Sequence, residues 1–513
     1  MPVIPTKATV PVETKGKNKY FYDRRLKKTV LCHPVLYFLA QMKTRGKDIA
    51  QWLDTLTGDM VYIPGLGSVY RTEVLYYYRK LNFFQESGYF SEILQDKILN
   101  KEVTADSVRS TLANLVLLTF ELTDFCQMNC FYCGYGKFYD NYDKRENKHM
   151  DFSIIKCMLD YVNDLANTSL NLSHKRPFYT GFYGGEPLCR FPIIEETVHY
   201  IQQLKWLHNT LRFTITTNGL LLDKYMDFMV EHDFNIFISL DGDAKNNTYR
   251  VLKNGSPTYE HVLANVEMLQ EKYPDFFKKR VFFNAVLHNK NSVAEIFDFF
   301  NGRFDKKPAI LSLNTGGIRE DQADEFWKTY VNERESLYNS KDYSRIEREM
   351  FIKLPTIQNI TSFMFSSIDF YYTDYNHFFI PPGEIQERYP SATCMPFSKK
   401  LFLTVNGKIM ACERIGQQFE LGWLTKEGVQ IDFQEIADKY NRWFSMLRKQ
   451  CQSCYIFDRC SQCIFYLDLK GGKPICGNFQ NFENYSRSVA NYLDFFEKKP
   501  RMFDRVLEEV MID

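Results

Sequence analysis

The sequence predicts an α/β fold in which six β-strands alternate with helices, with a small domain before them and a cysteine-rich domain after. An apolar stretch of strand length at 115–122 is followed by segments that read as strands at 177–183, 211–217, 234–240, 280–287 and 309–313, and segments of helical spacing separate them. Alternation of this kind implies right-handed strand–helix–strand units in one parallel sheet, here a partial barrel of six units. Seven cysteines then crowd between 394 and 476, outside the alternating region, and mark a separate domain.

Taken in order, residues 1–19 are polar, carry three prolines and show no pattern, which predicts a mobile tail. Segments 20–23 and 28–31 flank Arg24-Arg25-Leu26-Lys27 as the arms of a hairpin, and helical segments follow at 34–42, 48–56 and 70–84. These form a domain spanning 20–110, in which Cys32 reads as packing. The barrel occupies 111–318. After its first strand, Asp151 opens a helix with Ile154, Met158, Leu159, Val162 and Leu165 on one face. Further helices are predicted at 192–207, 222–232, 258–272 and 292–301. A helical bridge at 319–385, charged and then aromatic, leads to the cysteine domain at 386–480. Tyr371, Tyr372 and Tyr375 in the bridge read as core. A helical tail at 481–513 is expected to pack on the barrel.

Bulk composition narrows the function classes. At 513 residues the chain has room for about three domains. With 45% hydrophobic and 16% aromatic residues it is no disordered protein. Sixty-four basic against 63 acidic residues leave +1, and no basic stretch is interleaved with aromatics, so no nucleic-acid partner is expected. No apolar run reaches the ~18 residues of a membrane span. The opening Met1-Pro-Val-Ile-Pro-Thr-Lys lacks the apolar core of a signal peptide. Thirteen cysteines, ten of them in close motifs, suit reduced thiols and a cytoplasmic setting.

The chemistry concentrates at the C-terminal ends of the predicted strands, where active residues of such barrels collect. After the first strand stand Cys126, Cys130 and Cys133, spaced CxxxCxxC, with Tyr132 before the last. Three thiolates on one loop can hold three irons of a cubane cluster and leave the fourth open. Zinc ligation or chance packing are the plainer alternatives. After the second strand lies Gly184-Gly185-Glu186-Pro187, where glycines permit close backbone approach and a carboxylate can accept from an ammonium. Thr216-Thr217-Asn218-Gly219 follows the third strand. Ser239-Leu240-Asp241-Gly242 follows the fourth, with Arg250 beyond, and Asn284 to Asn289 lies on the fifth.

Together these motifs resemble the radical S-adenosylmethionine (SAM) superfamily. The resemblance implies a 4Fe-4S cluster on Cys126, Cys130 and Cys133 whose open iron chelates SAM. One electron would then cleave SAM to methionine and a hydrogen-abstracting 5′-deoxyadenosyl radical. It further implies that Gly184, Gly185 and Glu186 take the SAM amino group and that Thr217 and Asn218 stand for the family's TNG motif. Ser239 and Arg250 would hold the carboxylate, for which Arg is well shaped. Relatives commonly have Pro after the Gly and His before the Arg. Here Asp243, Asn246 and Asn247 occupy that stretch. Asn284 resembles the adenosine-contacting strand or, equally, an ordinary strand end.

Cys394, Gly407, Cys412, then Cys451-x2-Cys454-x5-Cys460-x2-Cys463 and Cys476 resemble the SPASM domain. That resemblance implies two auxiliary 4Fe-4S clusters, a distal one on Cys451, Cys454, Cys460 and Cys476 and a proximal one on Cys394, Cys412 and Cys463. Zinc on two CxxC pairs is the alternative, although ribbons usually space their pairs by ~15–20 residues. The proximal group has three cysteines, so it keeps an open iron or borrows a ligand, Cys189 being the candidate near the barrel mouth. An open iron could bind a substrate thiolate. Glu413 could take a proton from an oxidised substrate radical, or serve only as a salt bridge. The domain at 20–110 resembles a small winged-helix recognition domain, to which a leader peptide adds as an edge strand; a structural cap is the other reading.

The expected protein is a radical SAM/SPASM peptide maturase. It would act on a precursor peptide with a leader, draw on an electron donor such as flavodoxin or ferredoxin, and form a thioether or carbon–carbon crosslink. Formylglycine formation as in sulfatase maturation, and a non-catalytic iron–sulfur or zinc module, are the competing readings.

Overall fold

The computed structural model describes residues 6–350, 360, 361, 363, 364, 387–467, 469 and 474–509. Tyr371, Tyr372 and Tyr375 lie outside the described residues, as does most of the predicted bridge beyond 350.

The reading of residues 1–19 as a patternless tail is corrected. Thr6–Lys7 (β1) and Thr9–Glu13 (β2) are strands. β2 forms a sheet with Lys19–Asp23 (β3) and Lys28–Leu31 (β4), in that order. Pro11 disguised it, yet β2 is an edge strand, where proline's missing N–H spares the ladder. The β3–β4 hairpin forms as predicted, its turn closed by Asp23, whose carboxylate accepts from the N–H of Arg25 at 3.0 Å and Leu26 at 2.9 Å. Helices Pro34–Thr44, Ile49–Asp54 and Arg71–Glu86 follow. Between the last two, Met60–Ile63 (β5) and Gly67–Tyr70 (β6) make a hairpin the sequence reading did not include. Phe21, Val35, Leu39, Ile63, Val74 and Leu81 knit these elements into one core. Glu92–Ile93 (β7) pairs with β1.

The six predicted barrel strands are present, each within two residues of its expected bounds. They are Leu117–Glu121 (β8), Arg176–Tyr183 (β9), Asn209–Thr217 (β10), Asn235–Ser239 (β11), Val281–Leu287 (β12) and Ala309–Ser312 (β13). All pair in parallel, in chain order across the sheet. Helices Phe152–Ala166, Phe191–Gln203, Leu222–Glu231, Tyr259–Lys272 and Val293–Phe304 cover the outside, burying apolar faces such as Ile155, Met158, Leu159 and Val162. The predicted boundary at 110/111 falls inside a helix, Ala105–Ala113, which a Thr104–Ser107 capping box starts and whose Val108 and Leu112 belong to the barrel core.

The sheet continues past the barrel. Lys400–Leu403 (β14) pairs in parallel with β8, and Lys408–Met410 (β15), Gly422–Thr425 (β16) and Gly428–Gln430 (β17) extend it antiparallel to ten strands. The strand that precedes the three-cysteine loop is therefore hydrogen-bonded to the cysteine-rich region. The long helix Phe433–Ser453 follows, N-capped by Asp432. The tail helix Phe482–Lys498 was expected on the barrel. Its Tyr485, Val489 and Leu493 instead cover Val10, Val12 and Tyr22 of the N-terminal sheet, while Tyr492 and Phe495 touch the main core. Among the described residues, no helix is long and apolar enough to cross a membrane.

Candidate functional site

The three-cysteine loop leaves β8 over the mouth of the barrel. A second segment clamps it from outside: Asn129 N–H donates to Val251 at 2.8 Å, and Phe131 N–H to Tyr249 at 3.1 Å. The Gly-Gly turn after β9 lies flush against its start, with Gly185 N–H on the Thr123 carbonyl at 2.7 Å and Glu186 N–H on that of Phe125 at 2.8 Å. A Cβ on Gly184 would sit 2.3 Å from the Thr123 oxygen, and one on Gly185 2.1 Å from that of Phe125. Side chains are excluded there by contact, and Gly184 also takes a φ of +140°.

Cys126, Cys130 and Cys133 line one cavity of about 850 Å³, counting its solvent-open part, together with Gly184, Gly185, Glu186, Thr217, Asn218, Ser239 and Arg250. Burial pushes the Cys130 thiol up to about 12 and raises Cys126. Bound metal would reverse this, since coordinating thiols are deprotonated. Arg145 Nη2 lies 3.2 Å from Cys133 Sγ, and Asn218 Nδ2 lies 3.7 Å from Cys126 Sγ. Among the described residues Arg145 Nε and Arg250 Nε, both buried, have no hydrogen-bond partner. Soft thiols, spare donors and glycine-cleared space fit an anionic iron–sulfur group with a polar ligand beside it.

Glu186 is buried. Its carboxylate accepts from Thr217 Oγ1 at 2.7 Å, Asn218 N–H at 2.7 Å and Leu188 N–H at 3.1 Å. A carboxylate has about four acceptor sites, so one remains for a ligand. Burial pushes the Glu186 carboxyl up to about 7 despite these donors. Asp241, which the motif reading left without a role, organises the opposite wall. It accepts from Arg250 Nη2 at 3.1 Å and Val286 N–H at 2.9 Å, and bonds the Tyr132 hydroxyl. His288 Nε2 stands 3.6 Å away. Burial would raise the Asp241 carboxyl, but Arg250, His288, Tyr132 and the Val286 N–H together outweigh it and hold it below the usual range.

A larger cavity, about 2160 Å³ with its open part, runs on from this site. Tyr132, Ser239, Arg250 and Asn284 line its barrel side, and Glu413, Arg414, Cys463 and Tyr466 its far side. Glu413 borders both cavities. It is ion-paired, as one alternative held, to Lys400 at 2.9 and 2.8 Å. Burial works against its charge, yet Lys400, with the backbone and Arg414, outweighs that and keeps the carboxyl below the usual range.

Cys451, Cys454, Cys460 and Cys476 line a third cavity of about 430 Å³. Cys394, Cys412 and Cys463 come from three separate segments, and each lies within electrostatic reach of the Tyr440 hydroxyl. Cys189 is not among them: its thiol sits 3.3 Å from Gln127 Oε1, beside the first site, which corrects the suggestion that it might complete the proximal group. Among the described residues no group of three or more His, Cys, Asp or Glu is placed to hold a metal ion. Sequence reading missed Asp241, Arg145, His288, Lys400 and Tyr440. Only Asp241 carried a signal, as the acidic member of a motif already singled out.

Residues 120–301 match the sequence pattern of the Radical SAM superfamily. An uncharacterized protein of Methanocaldococcus jannaschii is 32% identical over 154 residues, 30% of this chain and 48% of that protein. The radical SAM cyclopropyl synthase TigE of Paramaledivibacter caminithermalis is 22% identical over 209 residues, 40% of this chain and 41% of that one. The chain thus spans about half or less of these curated relatives. The solved structure of native anSMEcpe with bound AdoMet and Kp18Cys peptide superposes with a TM-score of 0.52 at 16% identity, covering 77% of this chain and 99% of that one. That likeness is one of fold.

Proposed function

Starting from the radical SAM domain that residues 120–301 form, we propose that this chain is a radical SAM enzyme that matures a ribosomally made precursor peptide through a thioether or carbon–carbon crosslink. The observation that carries the reading is the 2160 Å³ cavity. It joins the wall of the three-cysteine site to Cys463 and Glu413 of the second cysteine region, and in this reading it takes the peptide segment.

In this reading Cys126, Cys130 and Cys133 hold the first cluster, and Cys394, Cys412, Cys463 and Cys451, Cys454, Cys460, Cys476 hold two auxiliary ones in a SPASM domain. When loaded with cluster and SAM, the site supplies a 5′-deoxyadenosyl radical that abstracts hydrogen, chemistry that belongs to the cofactors. The remaining acceptor site of Glu186 takes the SAM ammonium. Arg250, oriented by Asp241, takes the carboxylate with Ser239, and Asn284 borders the adenosine. Tyr132 shields the loop from water. Closing the new bond releases one proton and one electron from the substrate. Glu413, which Lys400 helps to keep ionised, accepts the proton, and a cluster held by Cys394, Cys412 and Cys463 would supply the acceptor for the electron.

The test is anaerobic incubation with SAM, a reductant and peptides encoded beside the gene. Release of 5′-deoxyadenosine with a crosslinked peptide lighter by two hydrogens supports the proposal. An aldehyde product would favour formylglycine formation, and no 5′-deoxyadenosine would leave a non-catalytic module.

A further inference from the structure

The helix Phe433–Ser453 carries a buried polar group. The Tyr440 side chain is wholly buried, and among the described residues its hydroxyl has no hydrogen-bond partner. Rings of Trp443, Phe444 and Phe465 surround it at 5.3, 5.8 and 5.8 Å between centroids. In so apolar a cage, phenylalanine would fill the same space without stranding a donor. A buried, unsatisfied hydroxyl in a native fold calls for an acceptor that occupies the site under working conditions.

The surroundings say what that acceptor is. The ionisable groups whose charges reach the hydroxyl are Cys463, Cys394 and Cys412. They come from the loop before β14, the turn after β15, and the residue ahead of the short helix Ile464–Tyr466 that also supplies Phe465. We propose that Tyr440 Oη–H donates a hydrogen bond to a sulfur of the cluster held by Cys394, Cys412 and Cys463, leaving that cluster's remaining iron open. The inference rests on the proposed proximal cluster and adds a positioning residue to it. A donor aimed at cluster sulfur stabilises the reduced, more negative state and raises the potential, as outer-shell hydrogen bonds do. It would make the proximal cluster a better acceptor for the electron that leaves the substrate.

The experiment uses the full-length, anaerobically reconstituted protein. The proximal signal is identified by its loss in Cys412→Ala, and each cluster is titrated by electron paramagnetic resonance. Tyr440→Phe should keep wild-type iron and sulfide while shifting the proximal reduction equilibrium about tenfold toward the oxidised state, about 59 mV for a one-electron couple. The other two midpoints should stay put. Fluorotyrosine at 440 keeps the ring and sharpens the donor, so it should move the same midpoint the other way. It also serves if Tyr440→Phe folds poorly. An unmoved proximal midpoint in either variant overturns the hydrogen bond. So does a folded Tyr440→Phe that loses about four irons, because the phenol would then be a ligand rather than a donor. Iron content that does not depend on Cys412 would overturn the proximal cluster itself, and this inference with it.

Discussion

Arg250 donates to Asp241 across 3.1 Å with both side chains out of solvent, so the guanidinium that faces the three-cysteine site is aimed by a carboxylate behind it. The same carboxylate bonds Tyr132 of the cysteine loop and the Val286 N–H of β12. One buried charge thereby ties loop, strand and cation together. Asp241→Asn removes the counter-charge and leaves Arg250 buried without it. Breaking a buried pair typically costs about 3–5 kcal/mol, so a clear loss of thermal stability is expected. On cluster-loaded protein, SAM affinity should fall at least about tenfold as Arg250 loses its aim. Equilibrium dialysis with SAM checks this; unchanged affinity would mean that Arg250 does not contact SAM.

Glu186 gives a second prediction with a pH signature. Glu186→Gln keeps the hydrogen-bonding shape but loses the charge, and charge-assisted bonds are worth ~1.5–3 kcal/mol, so SAM binding should weaken about ten- to a hundredfold. Iron content should not change. Because burial pushes the Glu186 carboxyl up to about 7, it is largely neutral below that pH and ionised above it. SAM affinity should therefore rise between pH 6 and 8 in the wild type. The Gln variant should show a flatter profile, and matching profiles would remove Glu186 from the site.

How much of this could be read without the fold follows from distance along the chain. The barrel strands were legible because each is an apolar-rich or alternating run set between helical segments. The cysteine triplet and the Gly-Gly-Glu-Pro turn were legible because each motif is contiguous. Asp241 was not, since its partners lie 9, 45 and 109 residues away. Lys400 meets Glu413 only because β14 and β15 fold back as a hairpin. β2 was hidden by Pro11 and by polar neighbours, although Val10 and Val12 alternate as a strand should. Tyr440 looked like any aromatic on a helix face until its hydroxyl proved to have no partner among the described residues.

The auxiliary groups should separate radical generation from product formation. Cys412→Ala and Cys454→Ala each remove one thiol from a different gathering, and neither lies in the first site. Iron should fall by up to about four from about twelve in each variant. SAM cleavage should continue, uncoupled, while crosslinked peptide disappears from mass spectra. Normal yields from both variants would make these groups dispensable for turnover.

The N-terminal sheet yields the last prediction. If a leader adds to an edge strand, β4 is the exposed candidate, with Leu31 on it 66% exposed. Cutting away residues 1–90 would be a poor test, because this region braces the distal cysteines. Arg24 stacks 4.5 Å over the Tyr455 ring, and Lys27 pairs with Asp458. Both partners lie between Cys454 and Cys460. Burial alone would raise the Asp458 carboxyl, but Lys27, Arg459 and Arg24 together hold it at about 2, so the contact is charged across the working pH range. The deletion should therefore lower iron by about four as well as abolish precursor binding. Leu31→Pro is the sharper probe: proline removes an edge N–H and obstructs strand addition while staying clear of the Tyr455 and Asp458 contacts. Precursor affinity should drop at least about tenfold in that variant, with iron content and melting temperature near wild type. Equal affinity of Leu31→Pro and wild type for full-length precursor would leave this sheet as a structural brace and move leader recognition elsewhere.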